Sequence, residues 1–372
     1  MTTPEAWRAV PFHFWSGVFF VFGCITGSFL NVCIHRMPRA ESIVSPPSHC
    51  PHCKYSIPWF LNIPLVTWLY LRGKCANCRA PISPRYFLVE LLTGILFLCS
   101  WLVAGARSPL VALVYCVFVS GLIVATFIDF EHFIIPDEIT LGGVAAGFVL
   151  SLAVPPLHGV ATAKAALQSS FLGIVIGAGV IYGILRLGKI LFGREKIELS
   201  PGSRIVFTET ALVLPDRQIL YEDVFYRKSD SIMFEARMVE MVDRCYKSVL
   251  IRLTPERLHI GDETLEPEKV PHLEAVADRM TLPREAMGLG DVKFMAAIGA
   301  FLGWKATVFS LLVSSMIGAL VGIILIVARR KDWSARIPYG PYIALAALGW
   351  IFGGNRLLEW WLSGRAFYWM VQ

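Results

Sequence analysis

Charged side chains are scarce in this sequence. Lys, Arg, Asp and Glu make up 17% of its 372 residues, whereas soluble domains contain about 25% charged residues. Hydrophobic residues make up 55%, and the mean hydropathy is +0.59. This composition excludes an ordinary soluble globular protein and predicts a chain that crosses a membrane several times.

Several familiar sequence features are also missing. The first apolar run lacks a basic n-region and a small-residue cleavage site, so we expect a membrane span and no signal peptide. No GxGxG loop marks a nucleotide site. The sequence shows no nucleic-acid motif and no internal repeat, and its basic residues suit anionic lipid headgroups instead.

Apolar stretches of spanning length recur along the chain. We predict an all-α polytopic membrane protein with about eight transmembrane helices, and seven is the alternative because two of the stretches are short. The predicted spans are 14–34, 86–104, 109–128, 139–154, 167–192, 291–303, 305–328 and 341–361.

Basic residues indicate how these spans are oriented. The segment 35–85 contains seven Lys and Arg residues, and Glu41 is its only acid. The positive-inside rule therefore places this loop in the cytoplasm. With eight spans, the basic residues of 186–194 and 329–336 fall on the same side. This orientation predicts a multi-pass membrane protein with its basic loops in the cytoplasm.

One segment differs from the rest of the chain. Residues 193–286 contain 14 basic and 18 acidic side chains, so the segment has a net charge of −4 and the remainder +10. Short alternating runs such as 204–207, 211–214, 231–234 and 248–253 predict a small β-rich cytoplasmic insert. The predicted divisions are 1–34, 35–85, 86–192, 193–286 and 287–372.

Four cysteines form two CxxC pairs in the first loop. Cys50 and Cys53 are separated from Cys75 and Cys78 by 21 residues, a spacing that predicts a four-thiolate, zinc-ribbon-like site. Two disulfides or four free thiols are the alternatives. A cytoplasmic loop argues against disulfides.

Two aspartates lie at the ends of apolar runs. Asp129 ends the run 121–128, and Asp291 follows Gly288-Leu-Gly290 at the start of another. A carboxylate at the rim of a bilayer is costly unless it is paired, hydrated or functional. Asp129 as a simple interfacial acid and Asp291 as a helix N-cap are the alternatives. Together the two predict a pair that shares a proton and performs acid–base chemistry on a peptide bond.

Two neighbouring charged residues have weaker interpretations. Asp137 follows Pro136 and precedes an apolar run, a position typical of a helix N-cap. Lys293 could influence the field around Asp291, or its side chain could reach toward the membrane interface.

Several motifs together resemble the bacterial prepilin peptidases, or type IV leader peptidases, which are GxGD intramembrane aspartic peptidases. The resemblance covers about 25–192 and 286–352. It lies in the first motif 27–38, both CxxC pairs, Glu90 to Gly94, Asp129 to Asp137 (DxxxxxxPD), Gly288 to Lys293 (GxGDxK) and Pro338 to Pro341.

The resemblance implies a catalytic pair of Asp129 and Asp291. It further implies cleavage of the basic leader of type IV prepilins or type II secretion pseudopilins at the cytoplasmic membrane face. Family members also methylate the new N-terminal residue with S-adenosylmethionine, an activity tied to the cysteine loop. Methylation rests on resemblance alone, although Glu41 and Glu90 could contact a sulfonium or a leader amine. The insert departs from the family pattern.

Other functions remain possible on the sequence alone. A presenilin- or preflagellin-like GxGD peptidase, a zinc-bearing transporter, or a non-enzymatic membrane scaffold for pilus or secretion assembly would each account for some motifs. The cysteine quartet favours the prepilin branch, and polar residues at mid-span, which a transporter would need, are scarce. The sequence identifies neither the particular pilins nor an oligomeric state.

Overall fold

The computed structural model describes residues 10–192, 194–208, 210–216, 218–221, 224–225, 230–267, 270, 272–283, 288–328, 338–354 and 356. The chain divides into two compact units. One unit comprises Met1–Tyr182 with Leu289–Gln372, and the other Gly183–Gly288. The basic residues of 329–336, which the sequence analysis places in the cytoplasm, lie outside the described residues.

The first unit is built from apolar helices. In chain order they are α1 (Phe12–Arg36), the short α2 (Val66–Tyr70), α3 (Pro84–Ser100), α4 (Pro109–His132), α5 (Asp137–Ala153), α6 (Ala163–Phe192), α7 (Leu289–Val327) and α8 (Gly340–Gly349). A wide helical turn, Trp101–Gly105, extends α3, and another, Trp350–Gly354, extends α8.

Five helices among the described residues are long and apolar enough to cross a membrane. They are Phe12–Arg39, Pro84–Gly105, Pro109–His132, Ala163–Lys189 and Leu289–Val327. The predicted spans 139–154 and 341–361 correspond to the shorter helices α5 and α8. The predicted spans 291–303 and 305–328 both fall within the single long helix α7. Multiple membrane-capable helices are therefore confirmed, and the count of eight stays a prediction.

Helix α7 is interrupted at Gly303. Its 39 residues would extend about 58 Å if straight, about twice the hydrocarbon thickness of a bilayer. Gly303 has φ 79° and ψ 175°, and a β-carbon there would lie 2.5 Å from Ser169 Oγ. The carbonyl of Ala300, left without a helical partner by the break, accepts hydrogen bonds from Ser151 and Ser170. The break is thus held by specific contacts.

Small residues let the helices approach closely. A β-carbon on Gly27 of α1 would lie 2.7 Å from the Cα of Glu90 on α3. A β-carbon on Gly147 of α5 would lie 2.8 Å from the β-carbon of Ala300 on α7. These contacts fix α1 against α3, and α5 against α7, and so position the motifs at the helix ends.

The second unit contains one antiparallel sheet. Its strands are β1 (Arg194–Phe207), β2 (Ala211–Val213), β3 (Gln218–Leu220), β4 (Ile232–Met241), β5 (Cys245–Leu253), β6 (Leu258–Ile260), β7 (Glu263–Leu265) and β8 (Leu273–Pro283). The strand order is β3-β2-β1-β8-β4-β5-β6-β7. Alternate residues such as Ile205, Ile232, Ile251 and Leu273 form its core. The β-rich character of the insert is confirmed.

Candidate active site and cysteine cluster

Asp129 lies in the last turn of α4 and is 5% exposed. Its carboxylate Oδ2 accepts a hydrogen bond of 2.9 Å from the backbone N–H of Gly340, at the start of α8. A β-carbon on Gly340 would lie 2.7 Å from the same oxygen, so only glycine allows this approach. Two segments 211 residues apart therefore meet at this carboxylate.

Asp291 lies in the first turn of α7, where the N-terminal end of the helix dipole favours an anion. The adjacent Gly290 packs against Ile135, since a β-carbon on Gly290 would lie 3.5 Å from Ile135 Cβ. A β-carbon on Gly340 would lie 3.1 Å from Ile135 Cδ1. Ile135 therefore contacts both the GxGD turn and the glycine that binds Asp129, which brings the two aspartate motifs to one end of the helical unit.

An ion pair joins these two motifs. Lys293 Nζ lies 2.6 Å from Asp137 Oδ1, and both side chains are partly exposed. The predicted N-cap role of Asp137 is wrong. Pro136 occupies the N-cap position, no side chain caps the helix, and Asp137 is the first residue of α5. The acid instead positions the start of α5 against the start of α7.

A second ion pair lies beside Asp129. Arg85 at the start of α3 pairs with Glu131, two residues beyond Asp129 on α4. Ser83 caps the same end of α3 by accepting a hydrogen bond from the Arg85 backbone N–H. Since α3 directly follows the cysteine loop, this pair connects the end of that loop to the helix of Asp129.

The four predicted cysteines come together. Cys50 and Cys78 have sulfurs 3.8 Å apart, Cys53 and Cys75 have sulfurs 4.0 Å apart, and all four sulfurs lie within 4.8 Å of one another. Tetrahedral zinc with bonds of about 2.3 Å requires sulfurs separated by ~3.8 Å. The geometry and the donor set both fit a metal ion, and the distances exclude disulfide bonds.

The two CxxC pairs have matching backbone geometry. The N–H of Cys50 donates to the Tyr55 carbonyl, as the N–H of Cys75 donates to Ala80. The residue after each second cysteine, Lys54 or Arg79, has φ near 60° (59° and 61°). Such paired turns direct both sulfurs of each CxxC toward one ion.

Backbone donors favour the thiolate form of some of these cysteines. A hydrogen bond from the Tyr55 backbone N–H, followed by smaller contributions from Asn77 and the neighbouring thiols, lowers the pKa of Cys53 to about 6. The backbone N–H groups of Cys78 and Asn77 lower the pKa of Cys75. Thiolates are the metal-binding form of cysteine, so these donors prepare the cluster for a cation.

Sequence reasoning missed some of the residues that hold the site. Gly340 was noticed only as part of Pro338 to Pro341, and Ile135 was not singled out. Their roles depend on contacts between distant segments, and the only sequence signal was a glycine between an aromatic residue and a proline.

Comparison with known proteins identifies two matching family profiles. The Bacterial Peptidase A24 N-terminal domain matches residues 21–104, and the Type IV leader peptidase family matches residues 116–197 and 275–323. Asp129 and Asp291 lie in the two parts of the second match, which leaves out most of the insert. No solved structure matches the chain.

Curated relatives cover most of the chain. The Prepilin leader peptidase/N-methyltransferase of Aeromonas hydrophila is 29% identical over 96% of this chain and 97% of its own length. Proteins of the same name are 28% identical in Neisseria gonorrhoeae, over 92% of this chain and 93% of the relative, and 36% identical in Dichelobacter nodosus, over 48% and 69%. The chain therefore belongs to the type IV leader peptidase family.

Proposed function

We propose that this protein is a membrane aspartic endopeptidase that removes the leader of type IV prepilins or type II secretion pseudopilins. The catalytic pair is Asp129 and Asp291. The observation that carries this assignment is the buried Asp129 carboxylate, held by Gly340 beside the same Ile135 that packs on the GxGD turn. Family membership supports the substrate class.

The pair acts by sharing one proton. Asp291, at the N-terminal end of a helix, is the better site for the negative charge, and Asp129, at a C-terminal end, is the worse one. The ionised acid activates water, and the protonated acid donates a hydrogen bond to the scissile carbonyl. The two groups titrate as a pair, so one ionised and one protonated carboxyl are needed together.

The site faces the cytoplasm from the inner membrane. This orientation follows from the basic loop 35–85 and from the eight-span arrangement. A prepilin has a basic leader and an apolar helix, so its cleavage site lies at the cytoplasmic interface, where both aspartates are placed. The β-rich insert would lie on the same side.

Zinc is the cofactor of the cysteine loop. Cys50, Cys53, Cys75 and Cys78 would hold it as four thiolates. The ion would cross-link a loop that contains little core of its own. The loop leads directly into α3, so its order determines the position of Arg85 beside the aspartate site.

Methylation of the new N-terminus is the second activity. The name of the relatives includes N-methyltransferase, which supports S-adenosylmethionine as the methyl donor. The described residues contain no glycine-rich nucleotide loop that would hold this donor.

Mass spectrometry of a prepilin incubated with membranes containing the protein tests both activities. We expect the product to lose the leader, and to gain the mass of one methyl group when S-adenosylmethionine is added. A prepilin that stays intact would contradict the peptidase assignment. Unaltered prepilin with normal pilus assembly would favour the scaffold, and cleavage of unrelated membrane peptides would favour a GxGD peptidase with other substrates.

A further inference from the structure

A groove lies along the outer face of α1. Its volume is about 650 Å³, and it runs from Phe20 near the middle of the helix to Arg36 at its end. Residues spaced three or four apart, including Val21, Ile25 and Ser28, form one wall. Val21 is 55% exposed and Ile25 51%, so the groove is open on the side that faces lipid in a membrane-spanning helix.

The other wall comes from the cysteine loop. Residues from 43–48 and from 62–66 form this wall. The guanidinium of Arg36 donates to the carbonyls of Ser42 and Pro46, which fixes the first of these segments. At its Arg36 end the groove is therefore lined by a loop segment that Arg36 holds in place.

A buried carboxylate lies behind the wall. Glu90 on α3 is 9% exposed, and its Oε2 accepts a hydrogen bond of 2.8 Å from the backbone N–H of Leu65. The Ser28 side chain approaches the same carboxylate. Ser28 and Leu65 both line the groove. Within the part of the chain that the structure describes, no Lys, Arg or His forms an ion pair with Glu90.

Leu65 adopts a strained conformation to make this contact. It has φ 61° and ψ −51°, and the N–H of Val66 donates to the Pro64 carbonyl at 2.6 Å. This is the rare γ-turn with positive φ, a strained conformation for a residue other than glycine. Such strain persists where the surrounding structure requires it, and here it directs a donor at Glu90.

A buried acid without a cationic partner is costly, and a ligand cation would offset that cost. We propose that the groove holds the amino-terminal end of the cleaved pilin, with its apolar helix along α1 and its new α-ammonium group beside Glu90. This inference rests on the proposed function. The groove would be a second site, to which the cleaved pilin moves before methylation.

The shape of the groove favours the pilin end over the methyl donor. The apolar wall from Phe20 to Ser28 extends about 12 Å along the helix, and it opens toward lipid. An apolar helix with a positive charge at its tip is complementary to that wall and to Glu90. S-adenosylmethionine carries a sulfonium but no long apolar surface, so it matches the acid and leaves the wall uncovered.

Photochemical cross-linking with a synthetic peptide tests this directly. The peptide contains the apolar start of a mature pilin, beginning with Phe, and is made with a free or an acetylated α-amine. The full-length protein in lipid nanodiscs has photoreactive benzoylphenylalanine in place of Phe29, which lines the groove, or of Phe171, an exposed residue of α6 that serves as the control.

We expect the probe at position 29, and not the one at 171, to capture the free-amine peptide. Acetylation should lower capture by about tenfold, the effect of losing ~1.4 kcal/mol of charge-assisted binding. Glu90→Gln should reduce capture of the free-amine peptide to the acetylated level. Glu235→Gln should leave it unchanged, since Glu235 is an exposed residue of the insert and does not line the groove.

Equal capture of the two peptides by the wild-type groove would overturn the inference without any variant. Displacement of the peptide from position 29 by S-adenosylmethionine alone would also overturn the inference, because the groove would then bind the methyl donor. A melting temperature of Glu90→Gln in nanodiscs equal to that of the wild type shows that the variant is folded. The peptide assay needs no cleavage, so failure of the peptidase assignment is seen separately.

Discussion

The helical unit and the β-rich insert maintain their structures in different ways. In the insert, an eight-stranded sheet buries one continuous set of aliphatic side chains, including Ile251 and Leu258. In the helical unit, the aspartate site depends on a few contacts: one N–H from Gly340, packing against Ile135 and two ion pairs. Small changes should therefore disable the site, whereas the insert should tolerate them with cleavage intact.

The largest effect among the supporting residues is expected at Gly340. In Gly340→Ala the added β-carbon would lie 2.7 Å from Asp129 Oδ2, so the carboxylate must move. Misplacing a catalytic group by about 1 Å can cost ~100-fold in rate, and we expect a loss of that order in leader cleavage. Gly349→Ala, on the same helix with open space around it, should cleave normally. Equal activity of both variants would contradict the role of Gly340.

The cysteine loop should show an intermediate effect. Cys75→Ser should lose the bound zinc, and disorder of the loop should lower cleavage severalfold while leaving both aspartates in place. Capture of the amino-terminal peptide should fall further than cleavage, because Leu65 belongs to this loop. Metal analysis of the purified wild type tests the premise, and a protein that contains no zinc would disprove it.

A smaller effect on cleavage is expected at the Lys293–Asp137 ion pair of the helical unit. Partly exposed ion pairs contribute about 0–1 kcal/mol, so Lys293→Met and Asp137→Asn should each lower cleavage by no more than about fivefold. If the pair only positions α5 against α7, the double variant should be no worse than either single one. A much larger loss in Lys293→Met alone would show that the ammonium acts on Asp291 directly.

The smallest effect on cleavage is expected from the insert. Ile251→Ala removes a fully buried side chain and should destabilise the sheet by about 2–5 kcal/mol. Cleavage should nevertheless stay within about twofold of wild type, because no residue of the proposed pair lies in the insert. Hydrogen exchange should report the loosened sheet, and Leu250→Ala, at the exposed neighbouring position, is the control. Loss of cleavage in step with sheet stability would give the insert a direct role.

The sequence predicted the site residues better than the contacts that hold them. Asp129 and Asp291 stood out because acids are rare in the apolar parts of the chain. The link from Asp129 to Gly340 spans 211 residues, and that from Lys293 to Asp137 spans 156. Neither spacing nor periodicity carries such information. An acid ahead of an apolar run usually caps a helix, and at Asp137 the tertiary ion pair prevailed over that local preference.

The secondary structure was likewise predicted only in part. Alternation of aliphatic residues predicted parts of β1, β2, β4 and β5, but not the central strand β8. Its inward positions include Ala275 and Ala277, small residues that are depleted in strands, so the pattern was weak. The break at Gly303 also depends on neighbours, since Ser151 and Ser170 satisfy the carbonyl that it exposes.

The most direct test of the account is leader cleavage of a type IV prepilin by membranes containing the wild type, Asp129→Asn or Asp291→Asn, read as a mass shift. Each asparagine keeps the shape of the side chain but cannot share the proton. We expect cleavage by the wild type and none by either variant, with both variants inserted in the membrane at wild-type levels. Cleavage that survives in either variant would contradict the aspartate pair as the catalytic centre.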